Sequence, residues 1–353
     1  PPPPPTTQTV LFGWSVVFYP TFFLGLCNLL PLHEPVLLND FISLVEPITG
    51  CWIDGTFGAG GYTRALLQNG ACKVLAIDKD SSTKKFLKNI QNEYGDMIKF
   101  YNQNFADMQK NNDITCRDDI CGVVLDLGVS SMHLDNPLRG FSFKESGPLD
   151  MRMGNQPGPT ASDIINLCSE ATLADLIFFY GQERKARKIA NKIVKERNKR
   201  KINTTLELAD IIRAIVPKNL KKDPATRTFQ AIRIAVNNEL KDLSKALVFA
   251  EKIVRKGGII AVVTFHSLED KIVKDFGKIM SGKAFSTNRY SPPTSKTYPS
   301  LIPLNKKPVV ATIEELDRNK RARSAKLRVY KKVSDCPSRV FATMEFPQIE
   351  LGI

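Results

Sequence analysis

The sequence predicts an α/β fold in which helices cover both faces of a mainly parallel sheet. Between residues 51 and 127, short apolar runs alternate with amphipathic helical stretches, and three of the runs end at or beside an aspartate. The alternation stops between residues 135 and 244 and resumes with an apolar run at 259–265. Alternation of this kind indicates right-handed βαβ units and therefore a parallel sheet.

Each strand candidate is a short apolar run, and the stretches between them have helical periodicity. We predict strands at 51–54, 73–78, 97–101, 121–127 and 259–265, and helices at 62–68, 81–94 and in the stretch ending at Arg255. Residues 135–244 hold only helical patterns, which predicts a helical insertion between the fourth and fifth strands.

The chain divides into five consecutive segments. We predict an apolar extension over 1–31, the first part of a sheet domain over 32–134, an inserted all-helical domain over 135–244, the second part of the sheet domain over 245–345 and a tail over 346–353. Residues 281–308 are rich in Ser, Pro and Thr, which predicts a mobile loop within the second part.

The extension contains an uncharged run, residues 10–30, that is long enough to cross a bilayer. The run lacks a basic flank and is interrupted by Pro20 and Gly25, so a spanning helix is disfavoured. We predict an incidental extension and no membrane partner. A membrane anchor or a targeting leader remains the alternative for this segment.

The composition is that of an ordinary globular protein with an excess of basic residues. Hydrophobic residues make up 42% and charged residues 24%, which excludes a disordered, collagenous or multi-span membrane chain. Lys and Arg number 50 against 36 Asp and Glu, giving a net charge of +14. This excess favours a polyanionic partner, nucleic acid first and anionic membrane second, with solubility alone as the alternative.

The spacing of cysteines and histidines indicates no metal site. The seven cysteines include no C-x-x-C pair, and the three histidines lie far apart in the chain. We therefore predict no bound metal, and reduced thiols in a cytosol-like compartment.

Aspartates stand at the carboxyl ends of predicted strands, where open α/β sheets bind ligands. Asp54 precedes a turn that contains Gly58, Gly60 and Gly61, and Asp78 ends the next strand. The glycines admit a ligand close to the backbone, and an acid placed like Asp78 accepts hydrogen bonds from ribose hydroxyls. The pattern predicts a nucleoside-containing cofactor, either NAD or S-adenosylmethionine. Each acid taken alone would equally suit a helix cap.

The later strands favour S-adenosylmethionine. The turn at 255–258, before the last predicted strand, is typical of methyltransferases, and Asp126 ends the fourth strand at the sequence DLGVSS. In methyltransferases that act on amines, this strand end faces the methyl donor. An acceptor there holds the amine so that its lone pair points at the methyl group, which requires neither a metal nor a covalent enzyme intermediate.

The densest basic segment is residues 184–201, which contains ten Lys or Arg. Ala186, Ile189, Ala190 and Ile193 share one helical stripe, so the basic side chains must face outward. Such a face suits phosphate contacts with RNA, and a merely solvated face is the alternative. A second cluster of eight Lys or Arg over 318–332 is placed to flank the same cleft.

Nine blocks of sequence resemble one known family, the bacterial and organellar small-subunit ribosomal RNA cytosine-N4 methyltransferases (RsmH, also called MraW). The resemblance covers residues 32–333 and includes HEPVLL at 33–38, DGTFGAGG at 54–61, DLGVSS at 126–131, RGFSF at 139–143, GPLDMRM at 147–153, YGQER at 180–184, PATRTFQ at 224–230, FHSLED at 265–270 and RARSAKLR at 321–328. The resemblance implies a Rossmann-like class I S-adenosylmethionine domain with an inserted helical RNA domain. It also implies N4-methylation of a cytidine in the decoding region.

The family's functional positions carry over to residues of this chain. The resemblance implies cofactor contacts, together with Gly58 of the glycine turn, at Gly60, Gly61, Tyr62, Asp78, Phe105, Asp126 and His133. It places Asp126 and His266 at the reaction centre, and we expect RNA contacts from Arg152, Arg184, Lys185, Arg187, Lys188 and Arg227. A mutual pair of Asp150 and Arg152 is the alternative to an RNA contact at Arg152.

The sequence departs from the family at two of these positions. Tyr62 stands where many members have His, and His133 stands where Gln is usual. Backbone contacts at Tyr62 survive the change, whereas the change at position 133 alters a side-chain hydrogen bond.

The expected partner is small-subunit ribosomal RNA or the small ribosomal subunit. The expected compartment is a bacterial-type cytoplasm, with a mitochondrial or other organelle matrix as the alternative. Two other functions remain open from the residues: a non-catalytic RNA-binding or ribosome-assembly protein that keeps the cofactor fold, and an NAD-dependent oxidoreductase.

Overall fold

A computed structural model describes residues 35–154, 157–217, 223–282, 299–335 and 349–352 of the chain. The apolar extension at 1–31, the first two residues of the HEPVLL block and residues 283–298 of the predicted mobile loop lie outside the described residues. None of the helices within the described ranges is long and apolar enough to cross a membrane.

The described residues form one seven-stranded sheet in the order β3-β2-β1-β4-β5-β7-β6. The strands are β1 Cys51–Asp54, β2 Lys73–Ile77, β3 Ile98–Tyr101, β4 Ile120–Asp126, β5 Ile259–Thr264, β6 Leu301–Pro303 and β7 Lys326–Lys332. Strands β1 to β5 are parallel, whereas β7 is antiparallel to both β5 and β6. The predicted Rossmann-like class I α/β fold is confirmed.

Helices pack on both faces of the sheet and continue into a separate helical region. They are α1 Leu38–Val45, α2 Gly61–Gln68, α3 Lys84–Tyr94, α4 Asn112–Thr115, α5 Ser131–Asp135, α6 Ala161–Leu167, α7 Glu170–Phe179, α8 Ala186–Arg197, α9 Thr205–Arg213, α10 Thr226–Asn237, α11 Glu239–Ile253, α12 Ser267–Met280 and α13 Ile313–Arg318.

Alternating strand residues point to opposite faces, so one sheet supports two apolar clusters. Ile53 and Val123 face helices α11 and α12, whereas Trp52 and Val124 face α1, α2 and α3. Because both faces are covered, the strands are apolar along nearly their whole length, as parallel strands must be.

Helices α6 to α10 share a third cluster of buried apolar residues that is distinct from the two sheet clusters. The predicted end of the insertion at residue 244 falls inside α11, but Leu243 and Ala246 of α11 are buried against the sheet. We therefore propose that the helical domain ends at Asn238, the single left-handed residue between α10 and α11, with φ 51°.

The segment after residue 265 differs from the prediction in two ways. The predicted mobile loop extends to 308, but β6 occupies Leu301–Pro303 and is paired with β7, so its last part is ordered sheet. Strand β7 lies within the second basic cluster and was not predicted. It fills the position between β5 and β6, where Leu327 and Val329 are fully buried.

The end of the chain contacts the helical domain. Ile349 and Leu351 pack against the cluster formed by α6 to α10, and Cys168 Sγ donates a hydrogen bond to the Leu351 carbonyl at 3.3 Å. Ile349 and Leu351 of the predicted tail thus pack on the helical cluster.

Candidate active site

The carboxyl ends of β1, β2 and β4 bring Asp54, Asp78 and Asp126 to one edge of the sheet. Asp54 is buried at 1% exposure, and burial raises its pKa to about 6. Its Oδ1 accepts the Thr56 N–H at 3.1 Å and its Oδ2 accepts the Thr63 hydroxyl at 2.7 Å. Asp54 therefore braces the turn between β1 and α2.

The turn between β1 and α2 depends on glycine. Gly58 and Gly60 have left-handed backbones, with φ of 53° and 81°. A Cβ at Gly60 would lie 2.2 Å from Ile90 Cδ1, and a Cβ at Gly61 would lie 2.1 Å from Pro35 Cγ. Only glycine allows the turn to pack this tightly while its N–H groups lead into helix α2.

Asp78 ties β2 to the glycine turn. Its Oδ2 accepts the Gly58 N–H at 2.8 Å, and its Oδ1 accepts the Asp80 N–H at 2.8 Å. Each oxygen keeps a further lone pair for a ligand hydroxyl, so the carboxylate has the capacity to bind ribose while holding the turn. Burial raises the pKa of Asp78. Asp80, not Asp78, caps the helical turn that follows, by accepting the Ser82 N–H.

Asp126 is the acid with unused hydrogen-bonding capacity. Its N–H donates to Thr56 Oγ1 at 2.6 Å, whereas its side-chain Oδ1 is inaccessible to solvent and has no partner among the described residues. Burial, followed by the charges of Asp54 and Glu269, raises the pKa of Asp126 well above its usual range. An orphaned buried acceptor is costly unless a ligand satisfies it, so the site fits a cationic or N–H-bearing ligand.

The raised pKa of Asp126 makes a testable contribution to stability. An acid whose pKa is higher in the folded than in the unfolded chain favours folding where it is protonated, and this contribution is lost as pH rises through the raised pKa. Without ligand, Asp126→Asn should therefore raise Tm relative to the parent by about 2 °C or more at pH 8. The gain should shrink or vanish near pH 5, as measured by differential scanning calorimetry.

The matched control for this comparison is Asp96→Asn, which changes an exposed aspartate away from the site. It should leave the difference in Tm from the parent the same at both pH values. An Asp126→Asn protein with no pH-dependent gain would contradict the raised pKa.

His133 lies in a buried polar network beside Asp78. Its Nε2 is 2.7 Å from Asp80 Oδ2, which Arg139 Nη2 also approaches at 3.3 Å, and its ring stacks on Phe141. Burial opposes ionisation of Asp80, but the hydrogen bonds from His133 and Ser82 and the charge of Arg139 prevail and lower its pKa. With Nε2 donating to this carboxylate, Nδ1 is a buried atom without a partner among the described residues. It is free to contact a ligand.

His266 begins helix α12, directly after β5. Its Nδ1 accepts the Glu269 N–H at 3.4 Å, while Glu269 Oε2 accepts the N–H groups of Phe265 and His266. Since Nδ1 accepts, the neutral imidazole carries its proton at Nε2. This Nε2 lies 3.1 Å from Glu269 Oε1 and 4.0 Å from Glu239 Oε2, in neither case with hydrogen-bond geometry.

Glu239, His266 and Glu269 are close enough to suggest a metal site, since one ligand atom of each lies within 4.8 Å of the others. Two features favour a charge network instead. Arg233 Nε and Nη2 each donate to an oxygen of Glu239 at 2.8 Å. An imidazole that carries its proton at Nε2 has no lone pair there for a metal.

Phe105 lies at the same edge of the sheet, after β3. It starts a 3₁₀ turn that Asn104 caps, because Asn104 Oδ1 accepts the Ala106 N–H at 3.0 Å. A Cβ at Gly55 would lie 3.4 Å from Phe105 Cβ, so Phe105 is next to the turn that follows β1.

The model of one protein family, described as the MraW methylase family, matches residues 31–333 of the chain. The chain belongs to the MraW methylase family. Three relatives bear the name Ribosomal RNA small subunit methyltransferase H. The protein from Jannaschia sp. (strain CCS1) is 45% identical and the match covers 90% of this chain and 97% of that protein. The protein from Cereibacter sphaeroides (strain ATCC 17023) is 47% identical, and the match covers 84% of this chain and 89% of that protein. The protein from the Wolbachia of Drosophila simulans (strain wRi) is 46% identical, and the match covers 86% of this chain and 99% of that protein.

The two departures of this MraW-family chain have different consequences. The Tyr62 side chain is buried and donates to the Val36 carbonyl at 2.5 Å, so only its backbone is available at the glycine turn. His133, in contrast, replaces the usual amide with an imidazole that is fixed by Asp80. Position 133 therefore offers a buried imidazole nitrogen, Nδ1, for a side-chain contact.

The basic residues that are predicted to contact RNA fall into two groups. Arg184, Arg187 and Lys188 are exposed and form no salt bridge with any residue that the structure describes. Arg227 is exposed and lies 3.5 Å from Glu183 Oε2. These four residues stay predicted RNA contacts.

The other two basic residues are engaged within the protein. Lys185 Nζ donates to the Ile215 carbonyl, just after α9, at 3.0 Å, so its ammonium group is engaged within the protein. Arg152 donates to Asp150 through both Nε and Nη2 at 2.8 Å, which is the mutual pair considered as the alternative. We therefore no longer expect a direct phosphate contact from either residue.

Several residues that build the site were not anticipated. Thr56 and Thr63 donate hydrogen bonds to Asp54, and Asp80 pairs with His133. Glu239, which is paired with Arg233, lies near His266. One signal in the sequence was available: His266 and Glu269 have the three-residue spacing of a capping box, here with histidine as the cap.

Proposed function

We propose that this protein transfers a methyl group from S-adenosylmethionine to N4 of a cytidine in the decoding region of small-subunit ribosomal RNA. The observation that carries the proposal is the orphaned buried oxygen of Asp126, at the strand end beside the glycine turn and Asp78. Membership of the MraW methylase family and relatives named as ribosomal RNA small-subunit methyltransferases support it.

The residues at the sheet edge fit the cofactor. The backbone from Gly58 to Tyr62 would line its amino-acid part, Asp78 would accept its ribose hydroxyls, and Phe105 would contact the adenine. His133 Nδ1 and Asp126 Oδ1 are two of the buried atoms that have no hydrogen-bond partner among the described residues. When bound, S-adenosylmethionine supplies a methyl group that is already activated on a sulfonium.

The task left to the protein is to orient and deprotonate a weakly nucleophilic amine. Asp126 would accept a hydrogen bond from the N4 amine, which aims the nitrogen lone pair, and would take its proton as the N–C bond forms. His266 Nε2–H, at the end of the neighbouring strand, would donate to an acceptor on the base. The reciprocal capping bonds with Glu269 hold this histidine in place, and the buried pair of Arg233 and Glu239 lies beside it.

The exposed basic face of α8 and the turn before it would bind ribosomal RNA through phosphates. The double substitution Arg187→Ala/Lys188→Ala should weaken binding of a small-subunit RNA fragment. It should also reduce the slope of log K against log salt by about 0.7 for each phosphate that is no longer neutralised. Affinity for S-adenosylmethionine should not change. Fluorescence anisotropy across a salt series measures both properties of the RNA complex.

The matched control is Lys252→Ala/Lys256→Ala, which removes two exposed charges at the opposite end of the sheet domain. If both double variants change the slope of log K against log salt equally, the effect is one of net charge and the proposed RNA face is wrong.

Methyl transfer from labelled donor tests the function directly. Purified small subunits and naked ribosomal RNA are each incubated with the protein, and the modified nucleotide is mapped by mass spectrometry. Label at cytidine N4 supports the proposal, whereas absence of label with both substrates contradicts it and would favour a non-catalytic RNA-binding role.

An NAD-dependent oxidoreductase would bind NADH in preference to S-adenosylmethionine. Because its proposed substrate is ribosomal RNA, we expect the protein in a bacterial-type cytoplasm or an organelle matrix.

A further inference from the structure

Helix α11 begins at the junction between the helical domain and the sheet. Most of the buried apolar residues of α10 lie in the helical cluster, although Ile234 packs in the sheet cluster with α11, and only the left-handed Asn238 separates the two helices. Asn237, just before the junction, is buried. Its Oδ1 accepts the Met153 N–H and its Nδ2 donates to the Met151 carbonyl, both at 2.8 Å. The junction is thus fixed by hydrogen bonds on its helical side.

The first turn of α11 contacts the loop that carries Phe105. Asp242 is 9% exposed, and its Oδ2 accepts a hydrogen bond from Asn104 Nδ2 at 2.5 Å. The same Asn104 caps the turn that starts at Phe105, through its Oδ1. Asp242 therefore fixes both the position of the Asn104 amide and which of its two ends faces the Ala106 N–H.

The same turn of α11 also faces the loops after β2 and β5. Glu239 Oε2 lies 4.0 Å from His266 Nε2, after β5. After β2, Lys79 is next to Asp78. Burial lowers the pKa of Lys79, and the nearby charges of Glu239 and Asp242 only partly offset this effect. One helical turn thus adjoins three of the loops that form the candidate cofactor site.

We propose that Asp242 is a positioning residue for the cofactor: through Asn104 it holds Phe105 where the adenine binds. This inference rests on the proposed function, because it assigns a residue to the same site. In this assignment Asp242 acts through its hydrogen bond with Asn104, and not by contact with the cofactor or RNA. Its contribution is to restrict a polar turn that, without the carboxylate, would have an unpaired amide and more than one arrangement.

The test compares the affinity for S-adenosylmethionine of variants on either side of this hydrogen bond. Asp242→Ala and Asn104→Ala should each raise the Kd, measured by isothermal titration calorimetry, by about tenfold. The Kd of the double variant should be no higher than that of the single variant that binds more weakly, since both substitutions remove the same hydrogen bond. Asp242→Asn should bind nearly as the parent does, because its amide oxygen still accepts from Asn104.

Steady-state kinetics separates positioning from a general structural defect. Asp242→Ala should raise KM for S-adenosylmethionine by about the same factor as Kd, with a much smaller effect on kcat and none on KM for RNA. Partial unfolding would instead lower kcat and leave KM for the active fraction unchanged. Lys241→Ala, an exposed neighbour in the same turn, is the control and should match the parent in every measurement.

The outcomes also separate this inference from the proposed function. If the parent binds S-adenosylmethionine and methylates RNA, but Asp242→Ala and Asn104→Ala bind it equally well, the positioning role is wrong and the function stands. An Asp242→Asn protein as weak as Asp242→Ala would also overturn the hydrogen-bond explanation. If the parent itself does not bind S-adenosylmethionine, the proposed function fails and this inference fails with it.

Discussion

Replacing Asp126 with alanine should reduce kcat for methyl transfer by about a hundredfold to ten-thousandfold, the range seen when a positioned proton acceptor is removed. The buried Oδ1 of Asp126 has no partner within the described residues, so the effect should come from the missing interaction with substrate. Single-turnover transfer of labelled methyl to small subunits measures it.

The asparagine variant separates two functions of this side chain. Asp126→Asn keeps an oxygen that accepts a hydrogen bond from the amine but does not take a proton at neutral pH. Activity between that of the parent and Asp126→Ala would show that orientation and proton removal both contribute. Turnover by Asp126→Ala close to that of the parent would remove Asp126 from the mechanism.

Replacing Asp78 with alanine should weaken binding of S-adenosylmethionine by about tenfold or more, because hydrogen bonds to a charged group contribute about 1.5–3 kcal/mol. The loss has two sources. The ribose hydroxyls lose their acceptor, and the N–H groups of Gly58 and Asp80 lose theirs, which loosens the glycine turn. Isothermal titration calorimetry measures the change.

Two comparisons make the Asp78 result specific. Affinity for ribosomal RNA should stay within the error of the parent value, since the exposed basic face lies on α8, which packs in the helical cluster and not beside β2. Asp96→Ala, which removes an exposed carboxylate, should leave both affinities unchanged. Equal cofactor affinity for Asp78→Ala and the parent would exclude the ribose contact.

The first five strands were predictable because parallel strands covered on both faces are short apolar runs. Strand β7 did not have this signal. Its sequence, KLRVYKK, has four basic residues in seven, and their charged ends reach polar partners: Lys326 Nζ and Arg328 Nε both contact Asp270. In the sequence these residues are a basic cluster, whereas in the fold the apolar residues between them are core.

The boundary that we propose for the helical domain at Asn238 has no clear signal in the sequence. Helices usually end at glycine or before proline, but here Asn238 adopts the left-handed conformation and the helical pattern continues on both sides of it. The sequence pattern therefore does not mark the break between the two helices.

The site was predictable in its acids and less so in what holds them. The strand-end positions of Asp54, Asp78 and Asp126 follow from topology alone. The pairs that orient the site join residues far apart in the chain: 53 positions separate Asp80 from His133, and 138 separate Asn104 from Asp242. No local periodicity reports such pairs, and they emerge only when the chain is folded.

Strand β6, the outermost strand beyond β7, limits association between copies of the protein. It is three residues long and ends at Pro303, which has no N–H to donate. A second chain approaching from that side therefore finds almost no backbone template on which to add a strand. This short proline-ended strand covers the longer, partly apolar β7 and so disfavours extension of the sheet at that edge.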